Sequence, residues 1–255
     1  MTPDEVVAHN REAWDRLVAS GDEWTRGVSP EQTARARGGD LRDVVLVGHD
    51  PIPSAWLPTS LEGVSVLCLA SGGGQQGPLL AAAGAEVTVF DASPRQLERD
   101  REVAAREGLE LRTVLGDMRD LGAFEDGAFE VIVHPVSNLF CPELAPVWTE
   151  CFRVLRPGGR LLAGFLNPDM FIFEEEALDR GEFVTANPLP YSNAPPTGAA
   201  RPNGPIEFSH TLADQIGGQL AAGFAIAGFE EAPHHANATA GYMPGYFATL
   251  AIKPA

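Results

Sequence analysis

Residues 66 to 91, VLCLASGGGQQGPLLAAAGAEVTVFD, decide the fold. Val66 to Ala70 form an unbroken apolar run, the pattern of a parallel strand covered on both faces. Gly72, Gly73 and Gly74 then supply a turn without side chains, so that a ligand can come close to the backbone. A helix expected over roughly Gln76 to Ala83 would aim its unpaired N–H groups at that ligand. The next strand ends on Asp91, where a carboxylate can accept both hydrogen bonds of a ribose diol. Strand, glycine turn, helix, strand and acid together lay out a pocket for a nucleoside cofactor.

The glycines alone do not name that cofactor. Gly72, Gly74 and Gly77 also satisfy the GxGxxG spacing of dinucleotide-binding proteins, and an ordinary tight turn would need no ligand at all.

Working outward, strands and helices alternate from Val64 onward: VSVLCLA, Gln76 to Ala83, EVTVFD, Pro94 to Glu107, ELRTVLG, FEVIVHP, Glu143 to Leu155 and GRLLAGFL. That alternation predicts an α/β fold, a doubly wound, mostly parallel sheet wrapped by helices. FAIAGFEEA and YFATLAIKP have no convincing helix between them, which predicts an antiparallel pair at the end of the sheet. Upstream, Val6, Asn10, Trp14, Leu17 and Val18 share one face of an amphipathic helix that Gly21 should end. The organisation expected is a single domain over residues 1–255. Residues 1–60 form an N-terminal helical cap and connector, 61–166 the cofactor-binding core, and 167–205 a Pro-, Gly- and Asn-rich lid insertion. Residues 206–255 supply a helix and strand pair that complete the sheet.

Composition bounds the function. Of 255 residues, 18 are basic and 35 acidic, a formal net charge of -17. Such a chain repels phosphate backbones and anionic membranes, so neither nucleic acid nor a membrane is an expected partner. Cys68, Cys141 and Cys151 are odd in number and lack metal-ligand spacing. The polar, acidic N-terminus has no apolar signal core, and cytoplasm is the expected compartment.

Four blocks, in order, resemble the class I S-adenosylmethionine-dependent methyltransferases. LCLASGGG (67–74) is similar to the family's glycine motif, and DASPRQL (91–97) places Asp91 where the family binds the ribose, with Ala92 and Gln96 beside it. GDMRDL (116–121) resembles the block after the third strand, in which Gly116 precedes Asp117 and Met118, the positions that recognise adenine. RVLRPGGRLLAG (153–164) resembles the helix, turn and fifth strand. The resemblance implies a Rossmann-like sheet of seven strands with an antiparallel terminal strand. It implies S-adenosylmethionine as cofactor, S-adenosylhomocysteine as product, and cofactor contacts from Ser71, Gly72, Gly73, Gly74, Gln75, Gln76 and His134. Aromatic N-terminal helices in relatives close over the cofactor, which gives Trp14 that role or that of a core anchor.

Two positions depart from the family pattern. The acid common in the first strand is Cys68, which cannot balance charge as a carboxylate does. The first glycine of the motif is Ala70. Ser71, Gln75 and Gln76 are the polar groups nearby that could take over at the methionyl end.

In α/β sheets ligands bind beyond the carboxyl ends of strands, which points to HPVSNLF (134–140). Ser137, Asn138 and Phe140 are therefore expected to bind a small-molecule acceptor, together with His210 beyond the lid. Methyl transfer is an in-line displacement, so alignment and exclusion of water come first, and a base is needed only if the nucleophile must lose a proton. His210 and His134 are the candidate bases. His234 and His235 are adjacent on an extended segment and point apart, so no catalytic metal is expected. Glu174 to Glu176 read as a solvated face that could also favour a cationic acceptor. Two other readings stand beside this one: a nicotinamide-dinucleotide oxidoreductase using the same glycines, and a non-catalytic S-adenosylmethionine-binding module.

Overall fold

The structure, a computed structural model, describes residues 1–196, 198–234 and 237–255. It opens with α1 (Pro3–Ser20), whose start is fixed by Thr2 and Glu5: each side chain accepts the other's backbone N–H, leaving two fewer orphan donors. Gly21 ends α1 in the left-handed region, as expected. A second short helix, α2 (Pro30–Arg37), starts on the same reciprocal cap between Ser29 and Gln32. The apolar DVVLVG stretch becomes one strand of a small antiparallel hairpin, β1 (Val45–Val47) with β2 (Asp50–Pro51).

The alternating region follows as β3 (Ser65–Leu69), α3 (Gln76–Ala82), β4 (Glu86–Asp91), α4 (Pro94–Glu107), β5 (Arg112–Leu115), β6 (Phe129–His134), α5 (Ala145–Val154) and β7 (Leu155–Leu166). After α6 (Glu175–Asp179) and α7 (Gly218–Ala221) come β8 (Ala225–Ala232) and β9 (Tyr246–Ile252). The seven-stranded sheet runs β5-β4-β3-β6-β7-β9-β8. β3 to β7 are parallel, and β9, last in sequence, runs antiparallel to both β7 and β8, between which it lies.

The strand period of two sends alternate residues to two apolar layers. Val66 and Cys68 join Val89, Val131, Leu79 and the hairpin residue Leu46 on one face. Leu67, Leu69, Ile132 and Leu161 join Phe90 and Trp148 on the other. The helix expected within residues 206–255 begins as a π-helical turn, Ala213–Gly217, running into α7. Trp148 explains the wider turn: its Nε1 donates to Asp214 O at 2.9 Å, and a Cβ on Gly218 would come within 2.5 Å of its ring.

Candidate functional site

β3 and β6 are neighbours in the sheet, but β3 leads to β4 on one side and β6 to β7 on the other. The crevice that opens at such a switch point holds ligands in α/β sheets. Here it is a cavity of about 340 Å³.

The glycine turn forms its floor. Ala70 has φ 47, the one positive φ of a non-glycine residue among those described, and its N–H donates to Phe90 O at 2.7 Å. A Cβ on Gly72 would lie 2.7 Å from Gln96 Cβ and 3.1 Å from Asp91, so only glycine lets the turn approach the end of β4. Asp91 uses both oxygens there: Oδ2 accepts the Gly72 N–H at 2.9 Å and Oδ1 the Ser93 N–H at 2.8 Å. Burial pushes its carboxyl above the usual range, opposed by these donors. Each oxygen keeps a lone pair for a ligand hydroxyl.

Gly116 packs so tightly on the Phe90 ring that a side chain would collide with it. This presents Asp117 and Met118 to the cavity. Asp117 Oδ2 accepts from Arg119 Nη2 at 2.6 Å and Nε at 2.9 Å, and Arg119 also reaches Asp4 of α1 at 2.9 Å. α1 is tied in again where Ser93 Oγ donates to Asp15 Oδ1 at 2.6 Å.

Ser71, Gln75, Gln76, Ala92, Gln96 and Trp14 line the cavity with Gly72, Asp91 and the Gly116–Met118 block. Gln75 Nε2 donates to Glu23 O and Arg26 O, and Gln76 Nε2 to Val45 O at 3.0 Å, so both also bind the connector to the glycine turn. Ser71 Oγ and Gln96 Oε1 are buried without a hydrogen-bond partner. Open polar valences and a glycine cradle at one end fit a nucleoside ligand. Trp14 packs edge-on against Phe140, ring centroids 5.1 Å apart, as part of the wall. Gly73 and Gly74 shape the turn behind the lining, and Gly77 packs α3 onto Val89. Cys68 is fully buried, and burial raises its thiol well above the usual range, so it stays neutral.

Of the expected acceptor residues, Ser137 and Phe140 line the cavity, and Asn138, His134 and His210 do not. Asn138 is fully buried and donates to Gln215 Oε1 at 2.7 Å. His134 shares its sheet face with Ile132, against Trp148; its Nδ1 donates to Leu69 O at 3.0 Å, and burial pushes it down to about 4. His210 Nε2 donates to Cys141 O at 2.7 Å, and burial lowers its basicity as well. Both imidazoles are thus neutral packing groups away from the cavity wall. His235 lies outside the described residues.

The cavity is also lined by residues that the motifs did not single out. Glu207, Tyr246, His234 and Leu166 line it together with Glu175 of the acidic run. His234 stacks on Tyr246, centroids 5.3 Å apart. Glu207 is pushed up to about 7 by burial and by Glu175, and burial pushes Tyr246 up to about 12. No sequence pattern marks Glu207, because it reaches the cavity through a long-range bracket. Asn10 of α1 accepts the Ile206 N–H at 2.6 Å and donates to Ile206 O and Phe140 O. His9 and Arg16 hold Gly204 O and Asn203 O alongside.

Comparison with known proteins agrees with this geometry. Residues 67–163 match the methyltransferase domain family. The chain is 45% identical over 232 residues to an uncharacterized methyltransferase of Bacillus subtilis (strain 168), covering 89% of this chain and 90% of that one. It is 24% identical over 155 residues, 60% of each chain, to a ubiquinone biosynthesis O-methyltransferase of Xanthomonas euvesicatoria pv. vesicatoria (strain 85-10). Among solved structures, its fold is shared by a Burkholderia thailandensis 1,6-didemethyltoxoflavin-N1-methyltransferase with bound 1,6-didemethyltoxoflavin and S-adenosylhomocysteine. That match has TM-score 0.61 and 17% identity, covering 100% of this chain and 92% of that one. A putative S-adenosylmethionine-dependent methyltransferase of Listeria monocytogenes shares it too, with TM-score 0.60 and 18% identity over 87% and 100% of the two chains. The chain belongs to the methyltransferases, with the fold of S-adenosylmethionine-dependent members.

Proposed function

We propose that the protein moves the methyl group of S-adenosylmethionine to a small-molecule acceptor by in-line displacement. One observation carries this reading: a single cavity is lined both by the nucleoside-type residues Asp91 and Asp117 and by the acidic and aromatic residues Glu207, Glu175 and Tyr246. α1 and the segment around Ile206 roof it. A volume of about 340 Å³ suits small molecules. The net charge of -17 supports the same choice against a nucleic-acid substrate. Three buried, unpaired cysteines suit a reducing cytoplasm.

In this reading Asp91 holds the ribose, and Asp117 with the Met118 backbone holds the adenine. Ser71, Gly72, Gln75, Gln76, Ala92, Gln96, Gly116 and Trp14 complete the cofactor wall. The cofactor supplies a methyl group on positively charged sulfur. Ser137 and Phe140 position the acceptor, and the bracketed roof excludes water. Glu207 takes the proton that the nucleophile loses: the acceptor's X–H bond breaks and the proton passes to the carboxylate, while X–CH3 would form as the sulfur–methyl bond breaks and leaves its electron pair on sulfur. A carboxyl near neutrality suits that task better than His134 or His210, both held away from the cavity.

Titration calorimetry tests the reading. S-adenosylmethionine and S-adenosylhomocysteine should both bind, and Asp91→Ala should weaken both by about 100-fold, since it strips a charged acceptor from the ribose and from the turn. Undiminished affinity in that variant would overturn the assignment. Incubating the enzyme and methyl-deuterated cofactor with a metabolite extract should then yield small molecules heavier by one labelled methyl group.

A further inference from the structure

Asp100 of α4 has none of its side chain exposed and does not line the cavity. Its Oδ2 accepts the Gly73 N–H at 3.0 Å, so it reaches the glycine turn from behind. Its Oδ1 has no hydrogen-bond partner, and a Cβ on Gly77 of α3 would lie 3.3 Å from it. The titratable groups facing it are Asp91 at the end of β4 and the neutral Cys68 thiol on β3. On its own helix, Arg99 and Arg101 turn outward and pair with Glu102 and Glu98. From the turn only the amides of Gly73 and Gly74 approach. Burial without a neighbouring cation pushes this carboxyl up to about 8, so it holds its proton at neutral pH.

The turn that Asp100 supports forms the floor of a pocket whose ligand changes charge during the reaction. S-adenosylmethionine carries a sulfonium cation; S-adenosylhomocysteine carries a neutral thioether in its place. A cation brought to the turn favours the ionised carboxyl, and an ionised Asp100 in turn grips the Gly73 amide with a charge-assisted hydrogen bond.

We propose that Asp100 is a positioning residue that reads the charge of the cofactor, losing its proton to solvent when S-adenosylmethionine is bound and regaining it when S-adenosylhomocysteine is left. The turn is then tightened around the methyl donor and relaxed around the product, which favours exchange of one for the other. The inference rests on the assignment of this cavity as the cofactor site.

The test is calorimetry at pH 7 in buffers of differing ionisation enthalpy, with S-adenosylmethionine and S-adenosylhomocysteine as probes, followed by dissociation constants from pH 6.5 to 8.5. The methyl donor should release more protons than the product. Its advantage in affinity should rise with pH, by at most about tenfold per unit, and level off above pH 8. In Asp100→Asn, whose side-chain oxygen still accepts the Gly73 N–H, the two ligands should release equal protons and their affinity ratio should be flat. Equal release in the native protein overturns the inference without any variant. So does a difference that survives in Asp100→Asn or is abolished by Glu207→Gln, and this last arm decides the matter if Asp100→Asn does not fold. Failure of both ligands to bind would overturn the cofactor-site assignment itself, a different result from binding with equal proton release.

Discussion

Asn10 Oδ1 accepts the Ile206 N–H at 2.6 Å while Asn10 Nδ2 donates to Ile206 O at 2.9 Å, a two-way pairing across 196 residues of sequence. A third bond, to Phe140 O at 2.8 Å, joins the loop after β6 to the same side chain. Asn10→Ala takes the partner from two buried backbone groups of Ile206 and from the part-buried Phe140 O. The expected loss is about 2–4 kcal/mol of stability, read by urea denaturation, with faster proteolysis of the segment around residue 206. A loss below about 0.5 kcal/mol would show that the roof does not depend on this pairing.

Ala70 tests the departure at the start of the glycine motif. At φ 47 an L residue is strained by about 1–2 kcal/mol, and glycine gives back about 0.5–1 kcal/mol of that through chain entropy. Ala70→Gly should therefore gain about 0.5–1 kcal/mol and Ala70→Val should lose at least 1 kcal/mol. Equal stability of all three in denaturant titrations would remove the strain argument.

Gly116 and Phe90 form another testable pair. A methyl group on Gly116 collides with the Phe90 ring, so Gly116→Ala should lose about 1–3 kcal/mol and displace Asp117 enough to weaken S-adenosylmethionine binding. Adding Phe90→Leu should recover part of both losses, since a smaller neighbour makes room. Non-additivity in that double-variant cycle is the measurement.

Above about pH 6.5 stability should fall as pH rises. Glu207 is pushed up to about 7 and Asp100 up to about 8, so the folded protein binds protons that the unfolded chain, with ordinary carboxyls, has already lost. The contribution of these two carboxyls is greatest below the ordinary carboxyl range and drains away up to about pH 8. Below about pH 6.5 the lowered basicity of buried His134 and His210 opposes this trend, so the melting temperature should decline between about pH 6.5 and 8.5, less steeply in Glu207→Gln and Asp100→Asn. Activity should move oppositely: the proposed role of Glu207 as base makes its ionised form the working one, so kcat/KM should climb through about pH 7 and level off. Glu207→Gln should flatten that profile and lower the plateau about 100-fold.

The cofactor end was legible in the sequence because its determinants are local. Val66 to Asp91 dictate strand, turn, helix and strand by apolar period and glycine placement alone, and Gly116 to Met118 follow a strand end directly. Glu207 and Tyr246 were not legible as cavity residues, because they reach the cavity through pairings distant in sequence. His134 was assigned to the cavity from its strand end, yet the alternation along β6 puts it beside Ile132 on the face toward Trp148. That signal was present in the pattern FEVIVH. Asp100 gave no signal at all: one acid among the charged residues of α4 looks like its exposed neighbours until the glycine turn is folded against it.

The position of β9 bears on how the molecule is made. β7 and β8 face each other across a gap that only residues 246–252 fill, so a chain still on the ribosome carries two open strand edges after most of its sheet has formed. Tyr246, at the start of that strand, also walls the cavity. The cavity therefore stays unfinished until those residues emerge, and a product terminated before residue 246 would combine a nearly complete glycine-turn cradle with exposed, aggregation-prone edges.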